Sequence, residues 1–356
     1  MLRTWRSPYG DPALKTDIHV AFIAGMADQQ ANGASSILLT RRDDRSLLMS
    51  VVLFLVRRLR KQINKSNPKH EDGSPKLDPP SSKLKGFTLS ERTVCDIRIY
   101  DYILPTKLAQ SPKKRIYYFA GGSWQEPPTG QHYAMCAMIA REMPDTVLSI
   151  VSMPLAPNNP APRAFPWCMR LYRTLMAEAE AAGERVIFAG DSSGANVVLS
   201  LPLEALWEDN EAGLDRKQTP APVAIVAVSP STDLTRSNPE IDKMAHRDPL
   251  LTPAVIKGTA KAWCGHWNPE DRRISPLHHD ISLLAKRGIN VHGITAGCDV
   301  LCPDGVRFRK RCAEEGVKGE WVHWENQMHC FVLMAPYGLQ EAKEGVKWMI
   351  DTLKKE

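Results

Sequence analysis

Apolar positions change their period along this chain. From Phe87 onward, short β-branched or aromatic runs alternate with longer stretches of helical spacing. The runs Ile97–Tyr102, Ile116–Ala120, Val147–Met153, Val186–Ala189, Val223–Val228, Val291–Thr295 and Trp321–Trp324 predict strands. Between them, His132–Glu142, Trp167–Ala182, Gly194–Leu206, Pro303–Glu315 and Gly338–Lys354 predict helices. Strands alternating with helices imply an α/β fold, a mostly parallel sheet with helices on both faces. Ahead of this region, residues 46–63 place apolar side chains at 47, 48, 51, 52, 55 and 56 and end on Arg57, Arg58, Arg60 and Lys61. That predicts an amphipathic helix with cations at its C-terminus, where the helix dipole favours them. A helix of this kind can lie on a membrane surface. Packing of its apolar face on the rest of the protein is the favoured expectation. Asn64–Lys85, rich in Pro, Lys and Ser, predicts a polar linker.

Composition narrows the choice of function. With 356 residues and 43% hydrophobic content the chain can bury a full core. Its net charge of +6 is local: residues 1–86 hold 15 Lys and Arg against 8 Asp and Glu, while the remainder has 31 against 32. No basic cluster with readout elements follows residue 86, which argues against nucleic acid as a partner. Eight cysteines, at 95, 136, 168, 264, 298, 302, 312 and 330, lack zinc-finger or secreted-domain spacing. They predict free thiols in a reducing compartment, with no metal. The first residues lack the apolar stretch of a secretory signal, and the run Leu47–Val56 is too short to cross a bilayer. The expectation is a soluble, cytoplasmic protein.

One motif carries chemistry. The strand Val186–Ala189 runs into Gly190-Asp191-Ser192-Ser193-Gly194, a G-x-S-x-G at a strand–turn–helix junction. Small residues on either side permit a tight turn that exposes the Ser192 Oγ and aims the Ser193 N–H outward. Two strands earlier, Gly121-Gly122-Ser123-Trp124 follows the run Ile116–Ala120. Its backbone N–H groups suit the other half of an oxyanion hole. Downstream, Asp299 follows the strand Val291–Thr295, and His329 follows Trp321–Trp324. The order Ser, Asp, His is that of a nucleophile, an orienting acid and a general base. Asp304 is the competing acid, but its place at a helix start predicts a capping role.

These motifs resemble the hormone-sensitive-lipase-like branch of the α/β-hydrolases, over roughly residues 87–350. Gly190-Asp191-Ser192-Ser193-Gly194-Ala195-Asn196 is similar to that branch's GDSAGGN elbow. Leu155-Ala156-Pro157 with Pro160 and Pro162 resembles its YRLAPE-x-x-x-P stretch, Asp299 to Gly305 its DPLRDEG, and His329-Cys330-Phe331 its HGF. The resemblance implies an α/β-hydrolase fold with a helical cap. It assigns Ser192, Asp299 and His329 as the triad and the N–H groups of Gly122, Ser123 and Ser193 as oxyanion donors. No cofactor is implied. A cap helix and linker over residues 1–86 and a catalytic domain over 87–356, with a cap insertion around 235–275, follow from the same comparison. Ala120-Gly121-Gly122-Ser123 departs from the branch's HGGG, and Asn158 stands where the motif has Glu. The Ala-Gly-Gly-Ser-Trp form resembles fungal hydrolases of secondary-metabolite pathways.

Trp124, Trp167, Trp263 and Trp267 are candidate pocket walls. An aromatic lining predicts a small hydrophobic acyl substrate: an ester, lactone or thioester. Two other functions share the scaffold. Condensation or acyl transfer on a biosynthetic intermediate uses the same triad, and a ligand receptor would lack part of it.

Overall fold

A strand buried on both faces reads as an unbroken apolar run, and such runs form the middle of a nine-stranded sheet. The computed structural model describes residues 35–63, 72–104, 113–214 and 219–356. In chain order the strands are β1 (Ile37–Arg42), β2 (Thr88–Val94), β3 (Ile97–Ile103), β4 (Lys114–Phe119), β5 (Thr146–Ser152), β6 (Arg185–Asp191), β7 (Ala224–Val228), β8 (Asn290–Cys298) and β9 (Gly319–Met328). They lie side by side as β1-β9-β8-β7-β6-β4-β5-β3-β2. Six pairings are parallel; β2 with β3 and β3 with β5 are antiparallel.

The helices are α1 (Leu47–Ile63), α2 (Ser81–Leu84), α3 (Gly130–Glu142), α4 (Ala161–Ala182), α5 (Ser192–Glu211), α6 (Glu240–Met244), α7 (Pro253–Cys264), α8 (Ser282–Arg287), α9 (Cys302–Glu314) and α10 (Gln340–Lys355). One apolar layer joins the sheet to α4, α5, α8 and α9, through Leu171, Val198, Leu284 and Phe308. The other joins it to α1, α3 and α10, through Met49, Met135 and Val346. Every strand and helix predicted from Phe87 onward is present, with the largest shift at α4, which begins at Ala161 rather than Trp167.

Three features differ from the sequence pattern. Residues 37–42 form a strand parallel to β9, inside the segment expected to hold the cap helix and linker. Its single buried core residue, Ile37, left too little periodicity to mark it. β2 is a polar edge strand, TLSERTV, with no fully buried side chain. The helix expected at 46–63 forms, but it packs by a narrow side: Met49 and Leu53 are buried while most of its other large apolar side chains are exposed. Part of the linker, residues 64–71, lies outside the described residues. Between β7 and β8 lie α6 and α7. Ile241, Leu251 and Ile256 pack there on Val300 and Leu301 in a small separate cluster.

Candidate active site

Position in the parallel sheet decides which residues meet. The carboxyl ends of β6, β8 and β9 lie along one edge of the sheet, so the segments that follow them converge. Ser192 starts α5 directly after β6, at φ 53°, in the left-handed region that a serine enters only under constraint. That constraint comes from packing. A Cβ on Gly190 would lie 2.7 Å from both the Phe119 carbonyl oxygen and the Gly194 carbonyl carbon, so glycine is required there. The hydroxyl is left partly accessible at the start of the helix.

His329 follows β9, and its Nε2 lies 2.9 Å from the Ser192 Oγ. Its Nδ1 lies 2.7 Å from the Asp299 Oδ2, just after β8. Asp299 is fully buried, and its other carboxylate oxygen accepts the Leu301 N–H at 2.8 Å. The three residues singled out from sequence therefore form one continuous hydrogen-bonded line. Burial alone would lower the His329 pKa, but the Asp299 carboxylate and the adjacent Cys330 thiol overcome this and hold it well above the ordinary value. Asp304 does not cap α9. It is buried, and its carboxylate accepts from Asn238 at 2.7 Å and from Arg307 at 3.4 Å. That ties α9 to the insertion and leaves the imidazole to Asp299.

The loop after β4 holds Gly122 at φ 144°, Ser123 at 57° and Trp124 at 59°. Three successive residues in this region turn the backbone sharply. Among the described residues, no acceptor takes the N–H of Gly122, Ser123 or Ser193. Gly121, at the start of this loop, lies against Asp191 and Ser192, and donors fixed by their backbone suit a developing oxyanion.

Sequence reasoning missed what supports this loop. Asp191, the residue before the nucleophile, is fully buried and accepts from the Tyr118 hydroxyl at 2.7 Å and the Gly121 N–H at 2.9 Å. The His132 Nε2 lies 3.3 Å away. Because the Thr129 N–H donates to His132 Nδ1 at 3.0 Å, Nδ1 is the acceptor and Nε2 carries the proton donated to Asp191. Burial opposes ionisation of Asp191, but His132 and the Tyr118 and Gly121 donors hold its carboxyl below the usual range. The Asp inside the Gly-Asp-Ser motif was the available signal; Tyr118 and His132 look ordinary in sequence. Asp191→Ala strands three buried donors, so it should lower stability by about 2–4 kcal/mol. Chemical denaturation of the variant measures this, and a loss under 1 kcal/mol, a magnitude typical of a surface change, would contradict it.

A second buried carboxylate, Asp248, approaches the acid from the insertion. It accepts the Val300 N–H at 2.9 Å and the N–H groups of Leu250 and Leu251, each at 2.8 Å. Burial first, then the charge of Asp299, pushes its carboxyl up to about 6.

The four tryptophans part company. Trp124 and Trp263 stack with ring centroids 5.6 Å apart and an interplanar angle of 7°. At 2% and 1% exposure they fill space beside the loop after β4 rather than face an open cleft. Neither indole N–H has a partner among the described residues. Trp167 instead donates to the Cys95 carbonyl at 2.5 Å, and Trp267 packs on Phe165 and under Arg273. A cavity of about 600 Å³ lined by Phe165, Met169, Arg173 and Arg273 includes none of the triad residues. All eight cysteines are free. Among the described residues, no three His, Cys, Asp or Glu side chains are grouped to hold a metal.

The sheet order, with Ser192 at the β6–α5 turn and Asp299 and His329 on the loops converging on it, is that of an α/β-hydrolase. The sequence profile of the α/β-hydrolase fold family matches residues 116–333, and the chain belongs to that family. It is 27% identical over 222 residues to an esterase of Acinetobacter venetianus, spanning 62% of this chain and 67% of that protein. Identity to an acetyl-hydrolase of Streptomyces hygroscopicus is 26% over 221 residues, 62% of this chain and 69% of that one. The hormone-sensitive lipase of Homo sapiens is 28% identical over 190 residues, half of this chain and 17% of the lipase. The crystal structure of a hormone-sensitive lipase from a metagenome library superposes with a TM-score of 0.67 at 22% identity, covering 88% of this chain and 99% of that one. At that identity the likeness shows the shared fold.

Proposed function

We propose that the protein is a serine carboxylic ester hydrolase that works through an acyl-enzyme. The observation that carries this is the unbroken Ser192–His329–Asp299 line beside free backbone donors. The esterase and acetyl-hydrolase relatives support the same chemistry. His329 takes the Ser192 proton as Oγ attacks the substrate carbonyl. The N–H groups of Gly122, Ser123 and Ser193 receive the oxyanion, and Asp299 keeps the imidazole oriented and stabilises its cation. The tetrahedral intermediate collapses, the alcohol leaves with the proton from His329, and water attacks the acyl-serine by the reverse path.

For the substrate the proposal keeps the class expected from the sequence, a hydrophobic ester, lactone or thioester, with ester cleavage supported by the esterase and acetyl-hydrolase relatives. In the same proposal the inner side of α1, at Met49 and Leu53, and the 235–275 insertion form the cap while the outer face of α1 takes no part in the site, and the free thiols suit a reducing, cytoplasmic setting. Among the described residues no helix is long and apolar enough to cross a membrane.

A fluorophosphonate probe should label Ser192 stoichiometrically, with no labelling of Ser192→Ala. Wild type that is folded but unlabelled would refute the enzyme. Labelling without turnover of p-nitrophenyl acetate would favour acyl transfer to another acceptor. The pH profile adds a check with a definite sign. The base must be neutral to act, so a raised His329 pKa moves the acidic limb of kcat/KM above the ordinary imidazole value of about 6.5. Asp299→Asn should bring the limb down in pH and lower the rate. An acidic limb that ignores this substitution would remove Asp299 from the triad.

A further inference from the structure

Eleven large hydrophobic side chains are exposed among the described residues, and seven of them lie on α1, from Leu47 through Phe54 to Ile63. A helix apolar on nearly all sides is ordinarily buried. At 100° per residue, Met49 and Leu53 face the protein, with Val52 and Val56 half-buried beside them. Leu47, Val51, Phe54 and Leu55 make the opposite face, and Arg58 and Lys61 continue it at the last turns.

The four cations of this helix divide by direction. Arg57 donates to the carbonyls of His246 and Arg247 at 2.7 and 2.8 Å, and Arg60 reaches that of Asp248 at 3.5 Å. These two tie the helix down. Arg58 lies over the outward Phe54 ring, 5.1 Å from its centroid, and neither Arg58 nor Lys61 has a carboxylate partner among the described residues. From Ser46 to His70 the sequence contains no Asp or Glu.

Length and charge together select the occupant of this face. A 17-residue helix is about 26 Å long, and with a width of about 10 Å it offers about 260 Å². Two copies would bury about 500 Å², well under the roughly 1,000 Å² a stable interface needs. An apolar strip of that size with unpaired cations and no acids matches the boundary of an anionic bilayer. We propose that α1 docks the protein on a phospholipid surface carrying anionic headgroups, with Phe54 and its apolar neighbours entering the acyl boundary and Arg58 and Lys61 meeting the phosphates. The same helix holds the 246–248 loop, whose Asp248 carboxylate supports the backbone beside Asp299. Docking thus acts on a segment that backs the catalytic acid. The proposal stands apart from the esterase chemistry, because binding is read without turnover.

Co-sedimentation of the full chain with vesicles tests it. Phosphatidylcholine vesicles containing phosphatidylserine should carry the wild type down at low salt, and phosphatidylcholine alone should bind about ten-fold less or weaker. Phe54→Glu with Leu55→Glu should abolish sedimentation. Arg58→Ala with Lys61→Ala should erase the preference for phosphatidylserine. Neither pair should change turnover of a water-soluble acetate ester, which also shows that the variants fold. Three results would overturn the proposal: wild type that stays in solution, a glutamate pair that binds as wild type does, or a wild-type dimer that the glutamate pair dissociates.

Discussion

Ser192→Ala lowers kcat for an activated acetate ester by about 10⁵-fold or more, and adding His329→Ala to it changes little further. The reason is geometric. His329 Nε2 is 2.9 Å from the hydroxyl whose proton it removes, and Asp299 holds the other side of the ring at 2.7 Å. Once Oγ is gone there is no proton to take and no nucleophile to activate, so the base has lost its task. The residual rate, about 10³ over water, then comes from the oxyanion donors and substrate binding. Single and double variants are compared by steady-state kinetics at saturating ester, with circular dichroism to show an unchanged fold. Independent, multiplying losses would mean that Ser192 and His329 do not act as a unit.

Gly194→Ala should be as damaging to the fold as Ser192→Ala is to turnover. Gly194 lies in the first turn of α5 where that helix crosses the end of β4. A Cβ there falls well under 3.0 Å from the Phe119 carbonyl and the Ala120 backbone. Neither can yield, because β4 pairs with β5 on one side and with β6 on the other. The expected cost exceeds about 4 kcal/mol, read as loss of soluble protein or a collapsed melting temperature. Gly258→Ala is the matched control. It sits on the exposed side of α7 with nothing near its would-be Cβ, so alanine should stabilise by about 0.5–1 kcal/mol. If the two variants melt alike, the close crossing of α5 and β4 is not what demands glycine at 194.

The interior of the fold was legible where a strand is buried on both faces and reads as a short apolar run, as in VIFAG within β6 and AIVAV of β7. The edges were not. β1 and β2 each expose one face and a ladder side, so ILLTRR and TLSERTV carry polar side chains that blur a strand pattern. The short helices α6 and α8 offer too few turns for a period to emerge. In the site, Ser192, Asp299 and His329 could be found because each follows a recognisable strand in a fixed order. The Tyr118–Asp191–His132 network could not, since its members become neighbours only once β4, β6 and α3 are packed. Asp248 was hidden for the same reason: its partner at Val300 is 52 residues away. Asp304 was misjudged as a cap, because its actual partner, Asn238, comes from the insertion.

β1 has a consequence for how the chain must be handled. It pairs with β9 over six residues, from Ile37 opposite Gly319 to Arg42 opposite Trp324. Without it, β9 would present an open row of N–H and C=O groups next to Trp321 and Val322. A hydrophobic edge of that kind recruits strands from other molecules and seeds aggregates. The first forty residues of a chain are the ones most readily trimmed or given a purification tag. Trimming past Arg42 would remove the strip that covers this edge, so a fragment cut back to the hydrolase motifs alone would keep Ser192, Asp299 and His329 and is expected to precipitate.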